Sequence, residues 1–104
     1  MTAGQIRESA LPGAELIAQG LDDLAAGSET VPALLVSIGA GKLRASGIDV
    51  PATIGEPNQR LYHLLQRSHG DAAHSQYNAL IRRLVSYERA LQCVSLADRL
   101  GSSD

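Results

Sequence analysis

Glu88 is the residue whose placement could do chemistry. At 100° per residue its side chain falls between Leu84 and Leu91, in an apolar stripe that also carries Tyr77 and Ile81 and is flanked by Tyr87 among others. A carboxyl group in such a stripe must be paired or have its pKa raised. Two readings follow: a general base or ligand anchor in a cleft, or a buried ion pair with an arginine of the preceding helix, Arg60 or Arg67. The ion pair is the expectation carried forward. His63, His69 and His74 are the other groups that could act near neutral pH, but no two are four residues apart, the spacing that puts two imidazoles on one helical face. Cys93 is remote from all three, so no metal site is expected. Cys93 lies in the apolar half of the fourth helix and reads as a small core residue. His74, Asn78 and Arg82 descend one face four residues apart and read as a solvated polar ladder.

Two short motifs invite a functional name and neither holds. Ser37-Ile38-Gly39-Ala40-Gly41-Lys42-Leu43 contains a Gly-Lys pair but lacks the first glycine, the hydroxyl after lysine and the preceding strand of a phosphate-binding loop. No cofactor is therefore expected. Arg67 and His74 are spaced in a way that resembles the Arg-x4–6-His motif of HEPN-type ribonucleases, small helical proteins in which that motif contributes catalytic residues. Gly70 and Asp71 put a helix break between the two, and eight Arg with three His meet so loose a spacing by chance, so the family is not assigned.

These side chains must be positioned by helices. Gly and Pro punctuate the 104-residue chain at Pro12, Gly27, Pro32, Gly47, Pro51, Pro57, Gly70 and Gly101, where helix starts and stops are read. The spacing predicts an all-α single domain with four helices at about 12–26, 30–46, 57–69 and 72–99, the second and fourth central. Residues 1–10 and 102–104 are expected to fray. The first helix puts Leu16, Ile17, Gly20, Leu21 and Leu24 on one side and Glu15, Gln19, Asp22 and Asp23 on the other. Ser28 or Thr30 caps the second, and Asp71 the fourth.

The second helix differs from the rest. It carries no charge from Thr30 to Gly41, and Leu34, Ile38 and Val31 lie nearly opposite Val36 and Leu43, so it is apolar all round. Ala33, Ser37, Gly41 and Ala45 form a ridge of small residues that would let another helix approach closely. A helix of this kind needs more cover than a four-helix monomer normally supplies. The expectation is an interface through Ala33, Ser37, Gly41, Ala45, Val36 and Leu43, joining a second copy in a homodimer or another protein. The alternative is that the other three helices wrap it completely.

Composition sets the remaining bounds. Phe and Trp are absent and Tyr62, Tyr77 and Tyr87 are the only aromatics, so the core is built of Leu, Ile, Val and Ala. The net charge of −2 gives no global attraction to nucleic acid or anionic membrane. Residues 1–50 hold three basic and six acidic side chains, and residues 51–104 hold six and five. Arg60, Arg67, Arg82 and Arg89 could form a basic face on the third and fourth helices, and that face could also complement the acidic first helix across a dimer. No stretch of about twenty apolar residues and no basic-then-apolar N-terminus is present, and the lone Cys93 suits a reducing compartment, so a cytoplasmic protein without membrane contact is expected. Eight Arg against one Lys, with much Ala and Gly, associates with a GC-rich bacterial genome. The leading expectation is thus a non-enzymatic interaction module, homodimeric. A nucleic-acid-associated regulator or antitoxin-like protein using the Arg face is the second reading. A small hydrolase or nuclease using Glu88 and His74 is the third.

Overall fold

The computed structural model describes residues 2–101, with side chains through Val94. The order is α1 (Ala3–Glu8), α2 (Ala14–Ala25), α3 (Val31–Ala45), α4 (Pro57–His69) and α5 (Ala73–Gly101), with a 3-10 turn over Gly70–Ala72 joining the last two. No strand occurs among the described residues. The four expected helices are α2 to α5, with boundaries within two residues or so of expectation. Residues 102–104 lie outside the described residues.

The expectation that residues 1–10 fray is corrected by α1. Its first turn is a capping box: the Thr2 hydroxyl accepts the Gln5 N–H at 3.3 Å and the Gln5 side chain accepts the Thr2 N–H at 2.9 Å. Ile6 is wholly buried, which is worth about 1.5–3 kcal/mol of transfer free energy and docks a helix too short to persist alone. Arg7 then reaches Glu15 at 3.1 Å and Asp22 at 3.0 Å on α2, and these two partners push the guanidinium pKa up.

α3 is the centre, packed against α2, α4 and α5. Thr30 rather than Ser28 caps it, accepting the Ala33 N–H at 3.2 Å while donating to Asp23 at 2.6 Å. Leu34, Leu35, Val36 and Leu43 are all fully buried although they point in different directions, so the chain itself covers most of the helix. That is the wrapped arrangement, and it removes Ala33, Val36 and Leu43, each at 0% exposure, from any surface. Close approach is real but occurs at other glycines than the ridge suggested. A Cβ on Gly20 of α2 would sit on the Pro32 carbonyl oxygen and 2.5 Å from Val36 Cγ2, whereas one on Gly41 would meet nothing within 4 Å. Further along α3, Gly39 admits Leu84 of α5, with Cδ1 only 2.8 Å from the Cβ position.

The segment from Ile48 to Glu56 is loop, as expected, and α3 holds it. The Arg44 guanidinium donates to the Val50 and Pro51 carbonyls at 3.2 Å each, and the Ser37 hydroxyl accepts the Ile54 N–H at 3.1 Å while donating to Ala33 O at 3.0 Å. Ile48 closes the end of α3 as a buried apolar plug. Asp71 makes no cap for α5, because the chain tightens into the 3-10 turn there. α5 is the longest element, and the described chain extends 53 × 26 × 21 Å.

The two glycines of the helix pair give an opposed test. Gly20→Ala should cost about 1–3 kcal/mol in chemical denaturation, because the Pro32 backbone must move. Gly41→Ala should raise stability by up to about 1 kcal/mol, since it improves helix propensity in open space.

Candidate functional site

Where α5 crosses the middle of α3, the glycines that admit it also leave a gap. Gly39 and Gly41 supply no side chain, so a groove of about 340 Å³ opens between the two helices, lined by Ile38, Lys42, Ile81, Leu84, Val85 and Glu88 besides the glycines. Its walls are aliphatic, and Lys42 and Glu88 are its only charged residues. Ile38, Ile81 and Val85 are half-buried there, and Gly41 and Lys42 are exposed.

Glu88 is only 8% exposed, as its place in the apolar stripe required. The expected partner is corrected: neither Arg60 nor Arg67 reaches it, and it has no hydrogen bond or ion pair within 4 Å among the described residues. Arg60 is taken instead by Glu29 at 2.9 Å. Removal from water holds the Glu88 carboxyl above the ordinary carboxylate range, and the positive charge of Lys42 pulls it part of the way back. What the groove can do is therefore limited and specific. It can accept an apolar body and present one acid to a cationic or hydrogen-bond-donating group.

The other sequence candidates are dispersed. His74 lies fourteen residues before Glu88 on the same helix, about 21 Å along its axis at 1.5 Å per residue, so the two do not share a site. His74 is exposed and bonds Asn78 at 3.2 Å, the upper rungs of the polar ladder. No cluster of three metal-ligating side chains occurs among the described residues. Cys93 is exposed rather than buried: it lies some 200° round α5 from Leu91, facing away from the core. Arg67, Arg82 and Arg89 are exposed with no ion pair among the described residues, Arg67 on α4 and the other two on one face of α5. Arg60 is not among these exposed, unpaired arginines, since Glu29 takes it. Of the expected interface, Gly41 alone lines the groove, Ala45 is exposed one turn on, and Ser37 is committed to the 48–56 loop.

Two features escaped sequence reasoning. Tyr62 and Tyr77 meet edge to face with centroids 5.9 Å apart, and Asn58 Nδ2 donates to the Tyr77 hydroxyl at 2.9 Å, beside an open depression of about 420 Å³ between α4 and α5. Tyr87 is fully buried where α5 passes Gly13 at the start of α2, and its hydroxyl has no protein partner. Burial pushes its pKa up. The helical spacing that marked Tyr87 as core gave no sign that its hydroxyl would be unpaired.

No helix among the described residues is long and apolar enough to cross a membrane. The chain matches no known family model, no curated protein and no solved structure.

Glu88 and Tyr87 each give a stability prediction. A carboxyl whose folded pKa is raised favours the fold where it is protonated, and that advantage is lost as pH rises from its unfolded pKa through its folded one. In dilute protein, the stability of Glu88→Gln relative to the parent should therefore increase as pH rises from the acid side of the carboxylate range to neutrality. Urea titrations at several pH values measure the difference, and parallel curves would contradict it. Tyr87→Phe removes a buried hydroxyl that no protein group satisfies, and should leave stability unchanged or raise it by up to about 1 kcal/mol.

Proposed function

We propose that the protein is a helical interaction module that pairs with a second copy of itself through the groove between α3 and α5. The observation that carries this reading is the groove itself, where the chain leaves part of its central, all-apolar helix uncovered. The fully buried Leu34, Leu35, Val36 and Leu43 of α3 are covered by its own chain. A pocket with aliphatic walls at a helix crossing suits a protruding apolar side chain from another helix. Its lip bears one positive and one negative residue, so the same surface on a second molecule is electrostatically compatible with it, as a two-fold contact requires. A catalytic role finds less support, because Glu88 and His74 stand far apart on one helix.

Solution mass by light scattering over a wide concentration range tests the proposal. The expected result is a dimer for the parent chain and a folded monomer for Gly41→Leu. A Cβ at position 41 meets no atom of its own protomer and the rest of the side chain has the open groove to enter, so circular dichroism should show an intact fold. A parent chain that stays monomeric at every concentration, or a Gly41→Leu variant that dimerises as tightly as the parent, would sink the reading.

A further inference from the structure

We infer that Glu88 is the anchor of this groove and that its counter-ion is Lys42 of a second copy, the two residues pairing reciprocally across a two-fold axis. The inference rests on the dimer reading above and names its chemistry. Three observations carry it.

The first is that Glu88 is more than nine-tenths buried and unpaired within its own protomer, although its side chain helps line an open groove. Its carboxylate oxygens, unlike the Tyr87 hydroxyl, keep contact with solvent at the groove, so a cation that enters the groove can reach them and displace that water. The second is the inventory of cations. Arg7 and Arg60 are held by ion pairs with Glu15, Asp22 and Glu29, and Arg44 by the Val50 and Pro51 carbonyls. Arg89 is on α5 itself, about 100° round from Glu88 and exposed, and Arg67, Arg82 and Arg83 are exposed and do not line the groove. α4 contributes no residue to the groove, and α3 contributes only one charged group, Lys42.

The third observation is that Lys42 is exposed on the lip and stops short of ion-pair distance to its own Glu88. An isologous contact places residue i of one molecule on residue j of the other and j on i. A surface with one acid and one base on either side of an apolar hollow is self-complementary under that operation. Lys42 can reach across while its aliphatic stem lies on Ile81 and Val85 of the facing groove, an arrangement long basic side chains adopt readily. The contact would then neutralise both grooves together.

A consequence is linkage to pH. In the separate protomer burial holds Glu88 above the ordinary carboxylate range, and an ammonium group brought onto it in the dimer lowers it again. The dimer therefore favours the ionised acid, so association releases protons and tightens as pH rises through the carboxylate range. Acidification loosens it.

The test is the dimer dissociation constant of the full chain by sedimentation and light scattering, measured across that pH range for the parent, Glu88→Gln, Lys42→Gln and the double variant. The expected result is a loss of affinity of about tenfold or more at neutral pH for each single variant, with the double variant no worse than either single. The pH dependence should be lost with Glu88. Glu88→Gln keeps the shape of the side chain and removes the burden of a buried charge, so its fold is retained. A parent dimer whose affinity ignores both substitutions and pH overturns the pairing and leaves the dimer standing. Single-variant losses that simply add in the double variant also overturn it, because independent contacts add and a pair does not. A parent chain monomeric at every pH overturns both the pairing and the dimer.

Discussion

Helix α3 has no face it can give wholly to water, and the rest of the fold follows from that constraint. Leu34, Leu35, Val36 and Leu43 point in several directions and all are fully buried. Each other long helix packs on part of it: α2 against Pro32 and Val36, α5 against Gly39, and α4 against both α3 and α5. An ordinary amphipathic helix needs one neighbour, whereas a helix apolar around its circumference needs several. The chain meets the need with glycine at the tight contacts. Gly20 lets the α2 backbone come down onto the α3 backbone, and any side chain there would hold the two apart and expose Val36.

Charge is arranged with similar economy inside the protomer. The acidic outer face of α2 suggests, from sequence, a complementary basic surface on another molecule. Arg7 of α1 meets much of that need first, taking both Glu15 and Asp22, and Asp23 turns to the Thr30 hydroxyl that caps α3. Arg60 takes Glu29 and so ties the start of α4 to the turn before α3. These are exposed pairs and each contributes little to stability. Their effect is to remove the acidic face and one of the arginines from the set of groups that could act between molecules.

What was legible in the sequence was what local patterns encode. Gly and Pro punctuation located α2 to α5, and the 3.6-residue period sorted the inner and outer sides of α2 and placed Tyr87 and Leu91 in the core. It also placed Glu88 in an apolar environment. α1 was missed because a six-residue helix with one buried apolar residue has no period to detect; the signal available was the Thr2-x-x-Gln5 spacing of a capping box. The ridge Ala33-Ser37-Gly41-Ala45 was correctly read as a line on the helix but wrongly read as one surface. Its first two members lie under cover of the chain, Ser37 beneath the 48–56 loop, and its last two do not, although Leu43 between them is fully buried on another side of the helix. The partner of Glu88 was misassigned for a related reason. Helical phase states which way a side chain points, but not which of several arginines on another helix lies opposite.

The same residue type that makes the core possible also makes the groove. Two helices that pack on side chains stand apart and fill the space between; two that pack through glycine come close along one line and leave a hollow where the next side chain is missing. Gly39 provides the line, receiving Leu84, and Gly41 two residues on provides the hollow. Glu88 is one turn beyond Leu84 on α5, so the packing of Leu84 into Gly39 commits the carboxyl to the wall of that hollow, facing Lys42 across a gap its own chain does not fill. An apolar residue at position 88 would have extended the core, and a more exposed one would have left the acid in water. The unpaired carboxyl at the groove wall is thus a direct geometric consequence of the glycine contact, and whatever enters the groove meets it.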